Sequence, residues 1–155
     1  MTRILFVCLG NICRSPLAEA LFKHQIREKS LEMAFEADSC GTADYHIGMS
    51  PDPRTIRNAH KNKIFINHLG RQFHPVDFEK FDLILPMDVS NRSHLFRMQH
   101  ADLYTSKIKL MRSFDSKDKG ADVPDPYHGD ESDFQEVFEI LNRSVRGLIQ
   151  ILVTR

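Results

Sequence analysis

Residues 4–22 read ILFVCLGNICRSPLAEALF: an apolar run ends in Cys8, turns through Gly10-Asn11 and passes Cys13-Arg14 before Ser15-Pro16. No other stretch restricts the fold as strongly. Consecutive apolar positions over 3–7 predict a strand covered on both faces, as in a parallel sheet. Ser15 as N-cap and Pro16 at the first helical position predict a helix over 16–29, with Leu17, Ala20, Leu21, His24 and Ile26 as a rough apolar stripe. A strand that feeds a helix through a tight turn is the unit of an α/β fold, and in such folds ligands sit at the carboxyl ends of the strands.

The alternation continues along the chain. A strand is expected over 33–39, closed by Gly41, and a helix over 51–62 after Pro51-Asp52-Pro53. FDLIL at 81–85 reads as a second buried strand, followed by a helix from Met87-Asp88 through Asn91 toward Met98, and residues 108–111 as a last strand. Residues 113–127 are polar and Asp-rich, with Pro124 and Pro126 flanking Asp125, and predict a long surface loop; loops of that length are usually functional or disordered. Phe134, Val137, Phe138, Leu141, Val145, Leu148, Ile149 and Leu152 recur at helical spacing and predict a long amphipathic C-terminal helix. The expectation is one α/β domain over residues 1–155, with a mainly parallel four-stranded sheet, right-handed crossovers and helices on both faces, Rossmann-like or flavodoxin-like.

Charge narrows the function classes. The 21 basic and 21 acidic residues cancel, so nothing marks a nucleic-acid or polybasic membrane binder. Between Ser50 and His74 the chain carries Arg54, Arg57, Lys61, Lys63 and Arg71 against Asp52 alone, which reads as a solvated face. The N-terminal apolar run is too short for a secretory h-region or a membrane span, and Cys8, Cys13 and Cys40 are an odd, sparse set that does not suit a secreted disulfide framework. A cytoplasmic protein with reduced thiols is expected. The eight histidines show no metal-ligand spacing and read mostly as surface residues.

The loop from Cys8 to Ser15 joins a strand to a helix N-terminus, where unpaired N–H groups and the positive end of the helix dipole favour an anion. Gly10 permits, and Asn11 tolerates, the backbone turns that let successive N–H groups curl inward as an anion nest. Arg14 adds a planar fork able to grip two oxyanions at once. A thiolate at Cys8 is stabilised by the same dipoles and guanidinium, and beneath a bound phosphate it is placed for in-line attack at phosphorus. The alternative is a buried core thiol. No Gly-Lys-Ser/Thr follows Gly10, so this is not a nucleotide phosphate loop, and the Cys8 to Cys13 spacing does not match a zinc site. Asp125 taken alone is as well read as a turn-forming residue beside prolines.

VCLGNICRSPLAEA near the start, DSCGTADYHIGMSPDPR in the middle and DPYHG late in the chain resemble, in order and spacing, the low-molecular-weight protein tyrosine phosphatases. The resemblance implies a phosphotyrosine hydrolase with Cys8 as nucleophile, Arg14 as phosphate clamp and Asp125 as general acid and then base. Leu9, Gly10, Ile12 and Cys13 complete the phosphate loop, and Asn11, Ser15 and Ser39 match positions that hydrogen-bond within it. Tyr45 and Tyr127 match the walls of an aromatic slot; the family often has Trp at the first position and a second Tyr where this chain has His128. Relatives acting on phosphoarginine tend to carry Thr at the position of Ile12, which favours phosphotyrosine here. Asp88, in a Met-Asp segment, is expected to be structural. The matching cysteine pair in the family, here Cys8 and Cys13, can close a reversible disulfide that shields the nucleophile.

The implied enzyme needs no cofactor and no metal, releases inorganic phosphate, and takes phosphotyrosine-containing proteins or peptides as partners. With Asp125 protonated and Cys8 ionised, its activity should favour mildly acidic conditions. Two other readings remain open. An arsenate reductase on the same scaffold would need a downstream cysteine pair, and only Cys40 lies beyond the loop. A non-catalytic phosphate-binding or phospho-carrier module would have no need of Arg14 or the Asp-Pro loop.

Overall fold

The computed structural model describes residues 1–154. β1 (Thr2–Cys8), β2 (Phe35–Gly41) and β3 (Leu83–Pro86) form a parallel sheet in the order β2-β1-β3, with β1 central. The helices are α1 (Arg14–Glu28), α2 (Pro53–Lys61), α3 (Asp77–Lys80), α4 (Val89–Phe96) and α5 (Glu131–Val153), with 3-10 turns at Ala101–Lys107 and Met111–Phe114.

The continuous apolar run of β1 follows from burial on both sides. Ile4, Phe6 and Cys8 join a core with Leu17, Leu21 and Phe22 of α1 and Val137, Leu141 and Leu148 of α5. Leu5 and Val7 join a second core with Phe78 of α3, Leu95 of α4 and Ala101. Alternate side chains of one strand thus feed two cores, as the period of 2 requires. Among the described residues no helix is long and apolar enough to cross a membrane.

The expected four-stranded sheet has three strands among the described residues. Ile108 makes one isolated bridge to Ile84, with the Lys109 N–H on the Ile84 carbonyl, and the chain then leaves the sheet. Its next residues are pulled elsewhere. Met111 and Phe114 turn into the core shared with α5, and Arg112 is drawn to Asp115, so 108–111 cannot extend a ladder. α1 also starts two residues earlier than predicted, with Cys13 at the cap position and no side-chain cap. Ser15 is therefore inside the helix, and its hydroxyl serves the site instead of the cap.

The loop before α5 is exposed at its tip but anchored at its base. Asp115 is fully buried and receives Arg112 Nε at 2.9 Å, Arg143 Nη2 at 2.9 Å and the Lys117 N–H at 2.9 Å. Arg112 also donates to the Asp122 carbonyl at 2.9 Å, and Val123, 1% exposed, donates to the Met87 carbonyl at the end of β3. The Arg143 fork, followed by the backbone and Arg112 bonds, holds the Asp115 carboxyl well below the usual carboxylate range despite burial. A depressed folded-state value gives stability that is present above the unfolded value of about 3.9 and lost as the pH falls below it. Asp115→Ala strands two arginines and is expected to cost roughly 3–5 kcal/mol. Urea unfolding at neutral pH measures that loss, and the gap between parent and variant should narrow as the pH falls below about 4. A gap that widens in acid would contradict the assigned ion pairs.

Candidate active site

β1 delivers Cys8 to the carboxyl edge of the sheet, and α1 begins six residues later with Arg14. Between them three of the loop carbonyls accept from surrounding backbone. Cys8 O accepts from Thr42 N–H at 2.8 Å, Leu9 O from Ala43 at 3.0 Å and Ile12 O from Asp52 at 2.8 Å. With the carbonyls held outward, the loop amides are free to face inward, as an anion nest requires. Asn11 takes the left-handed conformation (φ 58°), and its N–H points at Cys8 Sγ from 3.3 Å. A side chain at position 41 would press on the Leu9 carbonyl at 2.7 Å, so glycine there lets β2 and the loop pack.

Cys8 is 3% exposed, and Ser15 Oγ lies 3.0 Å from its sulfur. The Arg14 guanidinium is also buried, with Nη1 donating to Asp88 Oδ2 at 2.7 Å and to the Val123 carbonyl at 2.9 Å. Burial alone would pull the Arg14 guanidinium down; Cys8 and Asp88 outweigh it and raise it, so the cation persists. Asp88 thus has a structural role: it fixes the fork. Arg14 Nη2 stands 3.7 Å from Asp125 Oδ2, a half-exposed carboxylate whose Oδ1 accepts the Tyr127 N–H at 3.1 Å.

A cavity of about 380 Å³ gathers these groups. Cys8, Leu9, Gly10, Ile12, Cys13 and Arg14 form its loop side, and Tyr45, His46, Asp125, Tyr127 and His128 its other walls. Asn11, Ser15 and Ser39 do not line it and stand behind the loop. Asn11 Nδ2 donates to Ser15 Oγ at 2.8 Å and to Ser39 Oγ at 3.1 Å.

That inner layer contains groups the sequence did not single out. His68 Nε2 is 2.7 Å from Asn11 Oδ1, and its Nδ1 is 3.2 Å from Glu19 Oε1. Ser39 Oγ donates to the same Glu19 oxygen at 2.7 Å. Burial would raise the Glu19 carboxyl; bonds from His68, Lys23 and Ser39 outweigh it and lower it, leaving a carboxylate under the loop. His68, expected among surface histidines, has a side chain only 8% exposed. It lies in irregular backbone 57 positions from Asn11, and no local pattern marks it. His46 was likewise missed; its ring packs 3.1 Å from where a Cβ on Gly10 would be.

The chain has two other thiols. Cys13, 5% exposed, is pushed up to about 12 by burial and stays protonated. Cys40 is fully buried at the end of β2 and is pushed well up by burial. None of the three is in a disulfide.

Residues 3–155 match the family model for low molecular weight phosphotyrosine protein phosphatases. A low molecular weight phosphotyrosine protein phosphatase from Schizosaccharomyces pombe is 41% identical over 137 residues, covering 88% of this chain and 87% of its own. The crystal structure of a protein tyrosine phosphatase from Entamoeba histolytica, with Hepes in its active site, superposes with a TM-score of 0.94 at 37% identity, covering 99% of this chain and 98% of that one. A Drosophila arginine phosphatase superposes with a TM-score of 0.89 at 33% identity, covering 98% of each chain.

Proposed function

The chain belongs to the low molecular weight phosphotyrosine protein phosphatase family, and on that premise we propose that it hydrolyses phosphotyrosine in proteins or peptides through a cysteinyl-phosphate on Cys8. One observation carries this reading: a buried thiol, a buried arginine and a half-exposed carboxylate converge on a single cavity with aromatic walls.

The loop amides and Arg14 bind the phosphate oxygens, and they bind more strongly as charge spreads over them in the transition state. The Cys8 thiolate attacks phosphorus from below. As the bond from phosphorus to the tyrosyl oxygen breaks, Asp125 donates its proton to that oxygen and tyrosine leaves. Water then attacks the phosphorus of the cysteinyl-phosphate, the Asp125 carboxylate takes the water proton, and the sulfur departs as thiolate with inorganic phosphate released. Ser15 Oγ, 3.0 Å from the sulfur, donates a hydrogen bond to the thiolate at both ends of the cycle. Every proton and electron pair is accounted for without a cofactor or metal.

Tyr45 and Tyr127 supply flat apolar walls suited to a phenyl ring. His128 lines the cavity beside Tyr127, with the ring centroids 5.0 Å apart. Ile12, part-buried beside the thiol, offers no hydroxyl to a guanidino phosphate. Cys40 is too deeply buried to receive a disulfide from Cys8 in a reductase cycle, which weighs against arsenate reduction. Cys13 lines the same cavity, so once peroxide has oxidised Cys8 to a sulfenic acid, with water as the by-product, the Cys13 sulfur can displace the sulfenic hydroxyl, releasing water and forming a disulfide, a step slowed by the burial that keeps Cys13 protonated. Such chemistry suits a cytoplasm that reduces the bond again.

Initial rates on matched phosphotyrosyl and phosphoarginyl peptides test the reading. Phosphotyrosine should be the better substrate by kcat/KM. Preference for phosphoarginine would overturn the substrate, and thiol-dependent reduction of arsenate without phosphatase turnover would overturn the reaction.

A further inference from the structure

A link between the phosphate loop and the wall of the slot runs through residues that do not line the cavity. Asp52 caps α2, and its N–H is the donor on the Ile12 carbonyl, so the start of that helix is tied to the phosphate loop. The Asp52 carboxylate accepts the Arg54 N–H at 2.8 Å, Arg54 Nε at 3.1 Å and Arg54 Nη2 at 2.8 Å. This two-toothed grip fixes the plane of the guanidinium. Arg54 Cζ then lies 5.3 Å from the centroid of the Tyr127 ring and 4.8 Å from that of Phe134, which is buried in α5.

Resting on the phosphatase reading above, we propose that Arg54 is a positioning residue that holds the Tyr127 ring in place as the substrate-facing wall. The plain alternative is a surface ion pair that caps a helix, and such pairs contribute little. Two features set this one apart. The guanidinium is shared between a carboxylate and two rings, and one of those rings, Tyr127, lines the cavity while Arg54 does not. The Asp52 carboxyl is lowered chiefly by its bonds from Arg54, so the clamp stays ionised across neutral and mildly acidic pH. A lysine would keep the charge and lose the planar fork that meets carboxylate and rings together.

Steady-state kinetics on para-nitrophenyl phosphate, with inorganic phosphate as inhibitor, separate the two roles. Arg54→Ala should raise KM about fivefold with kcat changed less than about twofold. Phosphate has no ring to meet Tyr127, so its inhibition constant should not move. Arg54→Lys should recover only part of the loss. In a Tyr127→Leu background, Arg54→Ala should add nothing further to KM, because the partner through which it acts is gone. An unchanged KM, a parallel rise in the phosphate inhibition constant, or an equal effect in both backgrounds would overturn the proposal. Should the alanine variant fail to fold, Arg54→Lys and Arg54→Gln carry the same comparison. A parent that does not hydrolyse para-nitrophenyl phosphate defeats the phosphatase reading; an active parent with an indistinguishable Arg54 variant defeats this inference alone.

Discussion

Cys8→Ser is expected to lower turnover of an aryl phosphate by roughly 10⁴-fold or more, the scale seen when a nucleophile is removed from a cooperating set, while leaving phosphate binding nearly intact. The expectation rests on a division of labour within the loop. Binding comes from amides turned inward by carbonyls that Thr42, Ala43 and Asp52 hold outward, and from an Arg14 fork fixed by Asp88 and Val123. None of these needs the sulfur. Attack does, because a serine hydroxyl at neutral pH remains a neutral oxygen where a thiol can be an anion. Isothermal titration with inorganic phosphate and a rate assay on the same preparation check both halves. A serine variant that turned over at the parental rate would remove Cys8 from the mechanism. One that lost phosphate binding as well would mean that the sulfur holds the loop together.

Asp125→Ala is the second large effect, a fall in kcat of about 10²- to 10³-fold on phosphotyrosine, within the usual range for a positioned proton donor. The fall should be smaller for leaving groups that depart easily as anions, since para-nitrophenolate needs little protonation. Asp125 is held by its own turn, through the Tyr127 N–H, and stands near Arg14 without a tight bond to it. It can therefore face the leaving oxygen. Rates across a series of substituted phenyl phosphates measure this directly: the variant should depend more steeply on leaving-group acidity than the parent. An equal loss for every leaving group would assign Asp125 to binding or loop structure.

The central strand, the loop from Cys8 to Arg14 and the long C-terminal helix were legible in the sequence because their signals are local. An apolar run, a turn and a 3.6-residue period each lie within a short window. The failures have one cause as well. Residues 108–111 read as a strand, yet Arg112 and Asp115, answering to Arg143 in α5, turn the chain away after one bridge. Ser15 read as a helix cap because Pro16 follows it, but the thiol and Asn11 claim its hydroxyl. His68 and Arg54 were invisible as functional groups, since their partners Asn11, Glu19 and Tyr127 are distant in sequence and meet them only in the folded chain.

The central claim is that the phosphoryl group passes through Cys8. Rapid acid quench of the protein during turnover of para-nitrophenyl phosphate, followed by intact mass and peptide mapping, tests it directly. The account predicts one phosphoryl group, carried on the peptide that contains Cys8 and lost in Cys8→Ser. A phosphorylated histidine or aspartate, or product release with no phosphorylated protein at any quench time, would contradict it.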